Sequence, residues 1–146
     1  MTLHLVPASD PVLRAVAAPV ERIDDELRAK VRELQDLMRR HRGAGLAAPQ
    51  AGWPVAIVVI DPGLGDSVLI NPVILDSDGA CWDSEGCLSL PGASCYVERA
   101  KRIRLRWQDL DGQVRTAKWN GLAARVVQHE LDHLAGILMT DRAAAP

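Results

Sequence analysis

The run His129-Glu130-Leu131-Asp132-His133 places two histidines four residues apart. On a helix that spacing puts both imidazoles on one face, where they can reach a single metal ion. Glu130, beside the first histidine, is placed to face a water at that metal, and a carboxylate there suits general-base catalysis. The flanking sequence supplies the helix. Asn120 reads as an N-cap, the helix runs from about Gly121 to Ala135, and Gly136 falls just past its end, where a left-handed residue is needed.

A catalytic metal site needs three protein ligands and an open position. Only 13 residues follow His133, and the sole carboxylate among them is Asp141, so the third ligand is sought upstream. Cys87, in Glu85-Gly86-Cys87-Leu88-Ser89, is the candidate. The glycine lets backbone approach closely, and a thiolate binds zinc or ferrous iron strongly. Cys81 and Cys95 read instead as small buried hydrophobes. A further segment, Gly43-Ala44-Gly45-Leu46-Ala47-Ala48-Pro49-Gln50, suggests backbone lying close against something, with the Gln50 amide free to donate to a polar ligand. It follows a helix rather than a strand, which excludes a dinucleotide-binding turn.

Around these motifs the chain reads as one α+β domain with short, mostly antiparallel strands between a long helix near each end. Asp10-Pro11 starts a short helix to about Val16, and Asp24 caps a helix to about His41 with the apolar stripe Leu27, Val31, Leu34, Leu37 and Met38. The Arg39–Arg42 cluster at its end suits the helix dipole. Val55–Ile60, bounded by Asp61-Pro62-Gly63, is a buried strand candidate, and Val68–Ile70 and Val73–Leu75 are short ones around Asn71-Pro72. Ile103, Leu105 and Trp107 alternate with polar residues, Asp111-Gly112 makes a hairpin, and Val114–Trp119 returns. The 146 residues, 48% apolar and 25% charged, suffice for an ordinary core, built of aliphatics since Phe is absent. The net charge of −2 gives no general basic field for nucleic acid. No apolar run is long enough to span a membrane, the N-terminus carries no secretory pattern, and three cysteines do not make a disulfide framework. A cytoplasmic protein is the expectation.

Taken together and in this order, Gly43–Gln50, Glu85–Ser89 and His129–His133 resemble the peptide deformylase family, whose motifs are G-φ-G-φ-A-A-x-Q, E-G-C-L-S and H-E-x-D-H. The resemblance runs from about Asp10 to Met139. It implies removal of the formyl group from N-formylmethionine at the start of nascent polypeptides. It implies one divalent metal held by Cys87, His129 and His133: Fe²⁺ as the native ion, with Zn²⁺, Ni²⁺ or Co²⁺ able to replace it. Glu130 becomes the base, Gln50 and the Leu88 N–H hold the oxyanion, and Gly45 and Ala44 meet the substrate backbone. Glu85 and Arg99 match a supporting acid–base pair behind the ligands. Ala44, Asp83, Ser94 and Arg125 fall where members of the family vary, which leaves an amidase for another N-acyl group as the alternative. A non-catalytic metal-binding module is disfavoured by the intact Glu130 and Gln50, and a generic zinc endopeptidase by the missing downstream ligand. The tail has no residues for the C-terminal helix many bacterial members carry. A monomer is expected, with transient contact at the ribosome.

Overall fold

Residues 2–61 and 67–144 are described by the computed structural model. The apolar stripe after Asp24 forms α1 (Asp25–Arg40), and Asp24 caps it by accepting from the Leu27 N–H at 2.9 Å. Val31, Leu34, Leu37 and Met38 are the buried face. The five-stranded antiparallel sheet runs in the order β1 (Gly45–Ala47), β2 (Ile57–Ile60), β3 (Ser67–Asp78), β6 (Arg102–Gln108) and β7 (Val114–Asn120). A separate two-stranded hairpin joins β4 (Cys81–Glu85) to β5 (Cys95–Arg99). The motif helix, α2, spans Gly121–Leu134, and one further turn, α3, spans Met139–Arg142.

Strand alternation explains how the layers stack. Ile57 and Val59 of β2 point into a cluster with the α1 stripe and Leu46. Val58 and Ile60 point into a second cluster with Ala124 and Val127 of α2. The two helices thus cover opposite faces of one sheet, and β2 is buried on both sides, as its unbroken apolar run requires.

Several boundaries differ from the sequence expectations for identifiable reasons. The helix expected after Asp10 is a single 3₁₀ turn, Pro11–Arg14, because the chain turns away at Ala15 with extended backbone. The strand expected from Val55 starts at Ile57, since Val55 pairs with Ala18 instead. The turn residues Pro62-Gly63 lie outside the described residues. The two short strands expected around Asn71-Pro72 are one long strand. Asn71 takes a left-handed φ of +52°, and the register to β6 slips between Ile70 and Val73. Its side chain replaces the interrupted ladder by accepting from the Val20 N–H at 2.8 Å and donating to Val20 O and Gln108 Oε1, each at 2.9 Å. The β4–β5 hairpin was not visible in the sequence, because its buried positions include Glu85 and Arg99 and the apolar alternation is lost. Asn120 sits at the N-cap of α2 in extended conformation without a side-chain hydrogen bond, and Gly136 has the expected positive φ of 76°.

Candidate metal centre and active site

The helix α2 presents His129 and His133 from successive turns toward the chain just after β4. There Cys87 completes a group whose three ligand atoms lie within 4.8 Å of one another. Cys87 Sγ is 3.4 Å from His133 Nε2. The Nδ1 atom of His129 lies 2.8 Å from Glu85 Oε1, which orients the ring and leaves Nε2 for the centre. These donors fit a divalent transition metal: one soft thiolate and two imidazoles, close enough to converge on one ion. Electrostatics agree. Burial works against charge on His129, yet Cys87, Glu130 and Glu85 together hold its pKa up at about 10, so the cluster favours positive charge at its centre. Burial, with the positive charges of His129 and Arg99, pushes His133 down to about 3. The three side chains thus form a candidate site for a divalent metal.

Behind the ligands lies a buried ionic network. Arg99 grips Glu85 through two hydrogen bonds of 2.9 Å, and Arg125 adds a third at 2.6 Å. Burial resists ionisation of Glu85, but Arg99 and His129 hold its pKa down at about 2. Arg99 also donates to Asp132, and Arg142 from α3 donates to both oxygens of Asp132 at 2.6 and 3.0 Å. The chain of contacts Arg142–Asp132–Arg99–Glu85–His129 therefore ends on one of the three candidate ligands. The Glu85–Arg99 pair expected from the sequence is present. Arg125, Asp132 and Arg142 were not assigned a part in it. Arg125 and Asp132 could have been suspected, since they lie four residues before and three residues after His129 on one face of α2.

The front of the site opens into a cavity of about 530 Å³. Ala44, Gly45, Leu88, Leu122, Val126 and Glu130 are among its walls. Glu130 is buried, its Oε1 has no hydrogen-bond partner among the described residues, and its pKa is pushed up to about 7, chiefly by burial. Gly45 makes room for it. A Cβ there would stand 2.8 Å from Val126 Cγ1 and 3.0 Å from Glu130 Cγ. Gln50 is also buried, with its Oε1 accepting the Ala47 N–H at 2.9 Å, which turns its amide nitrogen to Ser89 Oγ at 3.0 Å and Cys87 Sγ at 3.7 Å. Ser89, the partner that orients Gln50, was not singled out in the sequence although it ends the Cys87 motif.

Other expectations change. Asp83 does not line this cavity; it is exposed and borders a separate one with Lys101 and Arg102. Ser94 is exposed and shares a 2.7 Å hydrogen bond with Ser84. Cys81 is exposed and Cys95 half-buried, so neither is the buried hydrophobe expected.

Comparison with known proteins agrees with this geometry. The polypeptide deformylase family model matches residues 2–146. A peptide deformylase of Dictyoglomus turgidum is 45% identical over 143 residues, covering 98% of this chain and 94% of that protein. The crystal structure of peptide deformylase from Thermotoga maritima superposes with a TM-score of 0.97 at 39% identity, covering 99% of both chains. A peptide deformylase from Synechococcus elongatus, solved in complex with actinonin, gives 0.95 at 43% identity over 98% of this chain and 79% of that one. With the metal-ligand cluster, the buried glutamate and the cavity all in place on a matching fold, the chain belongs to the polypeptide deformylase family.

Proposed function

We propose that the chain hydrolyses the N-formyl group from formyl-methionyl nascent peptides, releasing formate and a free amino terminus. The observation that carries this is the meeting of Cys87, His129 and His133 with the buried Glu130, whose Oε1 has no hydrogen-bond partner among the described residues, at one cavity. Cys87, His129 and His133 hold the divalent metal, which supplies Lewis-acid activation of water and positive charge for the developing oxyanion. Fe²⁺ is the ion we assign, and the same donors accept Zn²⁺, Ni²⁺ or Co²⁺.

Glu130 takes a proton from the attacking water as oxygen adds to the formyl carbon, then gives it to the departing amine as the C–N bond breaks. A carboxyl poised near neutrality can do both. The Gln50 amide and the Leu88 N–H donate to the oxyanion. Glu85 and Arg99 keep His129 in its tautomer and orientation. The substrate backbone adds beside β1, an edge strand, at Gly45 and Ala44. We take the enzyme to be a cytoplasmic, single-domain monomer that meets its substrate transiently at the ribosome. No helix of the described residues is long and apolar enough to cross a membrane.

Matched formyl-Met and acetyl-Met peptides test the acyl group. Formate release with little or no acetate release is the expected result. Preference for the acetyl peptide would favour an amidase of different specificity.

A further inference from the structure

One wall of the cavity carries charge that the reaction does not use. His41 and Arg42, just beyond the end of α1, line the same cavity as Gly45 and Glu130. Both are exposed. Among the described residues no carboxylate pairs with Arg42, while Arg39, one turn earlier, is tied to Asp36. Arg42 also holds a left-handed φ of +56°, a conformation glycine adopts more readily. The acidic groups lining the cavity, Glu85 and Glu130, are buried, and Glu85 is bound to two arginines. The mouth is therefore positive.

The edge strand relates this mouth to the substrate. The Asp61 N–H donates to Ala44 O, so Ala44 faces β2, and the Ala47 N–H turns away from β2 to Gln50. Strand alternation then points the N–H and C=O of Gly45 to the open edge. A peptide paired there, with its formyl group toward Glu130 and Gln50, runs antiparallel to β1. Its next residues pass Gly43 and reach Arg42, at about 3.4 Å per residue. Ala44, carrying only a methyl group, leaves that path open.

We propose that Arg42, with His41 beside it, selects substrates bearing an acidic side chain at the second or third residue after the formyl group. This inference rests on the deformylase reading above. Its test uses the metal-loaded chain and two sets of C-terminal amides, formyl-Met-Xaa-Ala-Ser and formyl-Met-Ala-Xaa-Ser, with Xaa as Glu, Gln or Lys. In at least one set kcat/KM falls in the order Glu, Gln, Lys, spanning about tenfold at low ionic strength and shrinking toward unity near 1 M salt. Arg42→Gln flattens the order and Arg42→Glu reverses it. Each ratio is taken within one variant, so a folding defect that scales all peptides cancels. Equal rates for the three peptides in both sets, or a preference that persists in Arg42→Glu, would overturn the proposal while leaving the deformylase reading in place. If the metal-loaded chain fails to process even the Gln peptides, that reading fails and this one falls with it.

Discussion

Glu130 shares its space with Gly45, and the two must be considered together. The carboxylate has no room to retreat, because a Cβ at residue 45 would sit 3.0 Å from its Oε2 and nearer still to Val126. Gly45→Ala should therefore displace the base while leaving the ligands in place. Misplacing a catalytic group by an ångström costs about 100-fold. We expect kcat/KM on formyl peptides to fall by that order, with metal content unchanged in the purified variant. Full activity would show that Glu130 tolerates movement. Gln50 illustrates the same economy: Ala47 holds its oxygen and Ser89 its nitrogen, so the amide reaches the site in one orientation.

At the scale of elements, α3 has a role out of proportion to its length. Its two neighbouring charged residues face different partners. Asp141 pairs with Arg14 beside the N-terminal 3₁₀ turn, and Arg142 pairs with Asp132 on α2. The chain beyond α3 continues this attachment, with Ala143 bridging Val97 and the Ala144 N–H donating to Tyr96 O. Arg142→Met removes two hydrogen bonds from Asp132 and leaves Arg99 as its remaining arginine partner. Changes to such supporting groups weaken metal binding by 10- to 100-fold in general, and for this more remote one we expect about tenfold faster metal loss to a chelator. Arg14→Met, which loosens the same turn without touching Asp132, serves as the comparison. Equal metal loss from both variants and the parent would show that the contacts behind His129 do not reach as far as α3.

For the molecule as a whole, the buried ionic network sets the response to acid. Glu85 ordinarily titrates at 4.5 and here at about 2: burial alone would raise it, but Arg99 and His129 override that. A depressed acid contributes its stabilisation fully above its ordinary value and loses it as pH falls through its folded value. A displacement of this size corresponds to roughly 3 kcal/mol. The chain should keep its melting temperature down to about pH 5 and lose it steeply between 4.5 and 2. Glu85→Gln should lower the melting temperature at neutral pH and flatten that acid dependence. A variant whose melting curve tracks the parent's at every pH would contradict this.

The same network marks the limit of what the sequence disclosed. Capped, amphipathic α1 was legible because its apolar period and its Asp24 cap agreed, and α2 because Asn120 and Gly136 mark its ends, although Asn120 makes no capping bond. So was the gathering of Cys87, His129 and His133, since their residue types are rare and their spacing suits one ion. The β4–β5 hairpin was not, because two of its three buried positions are the charged Glu85 and Arg99, with Val97 between them, so the apolar alternation is lost. Nor was the tail's grip on Asp132, which depends on where the chain returns in space. The unbroken course of β3 through Asn71-Pro72 hid for a related reason: a side chain, not the backbone, supplies the missing bonds.

The central claim is that Cys87, His129 and His133 hold a metal and that Glu130 is the base beside it. The most direct measurement is anaerobic back-titration of the metal-stripped chain with Fe²⁺, following formate release from a formyl-Met peptide in the parent and in Glu130→Gln. The account predicts that release appears in step with metal and saturates at one ion per chain. It also predicts that Glu130→Gln binds the ion but turns over about 1,000-fold more slowly. Release from the metal-stripped chain, or a Glu130→Gln variant as fast as the parent, would contradict it.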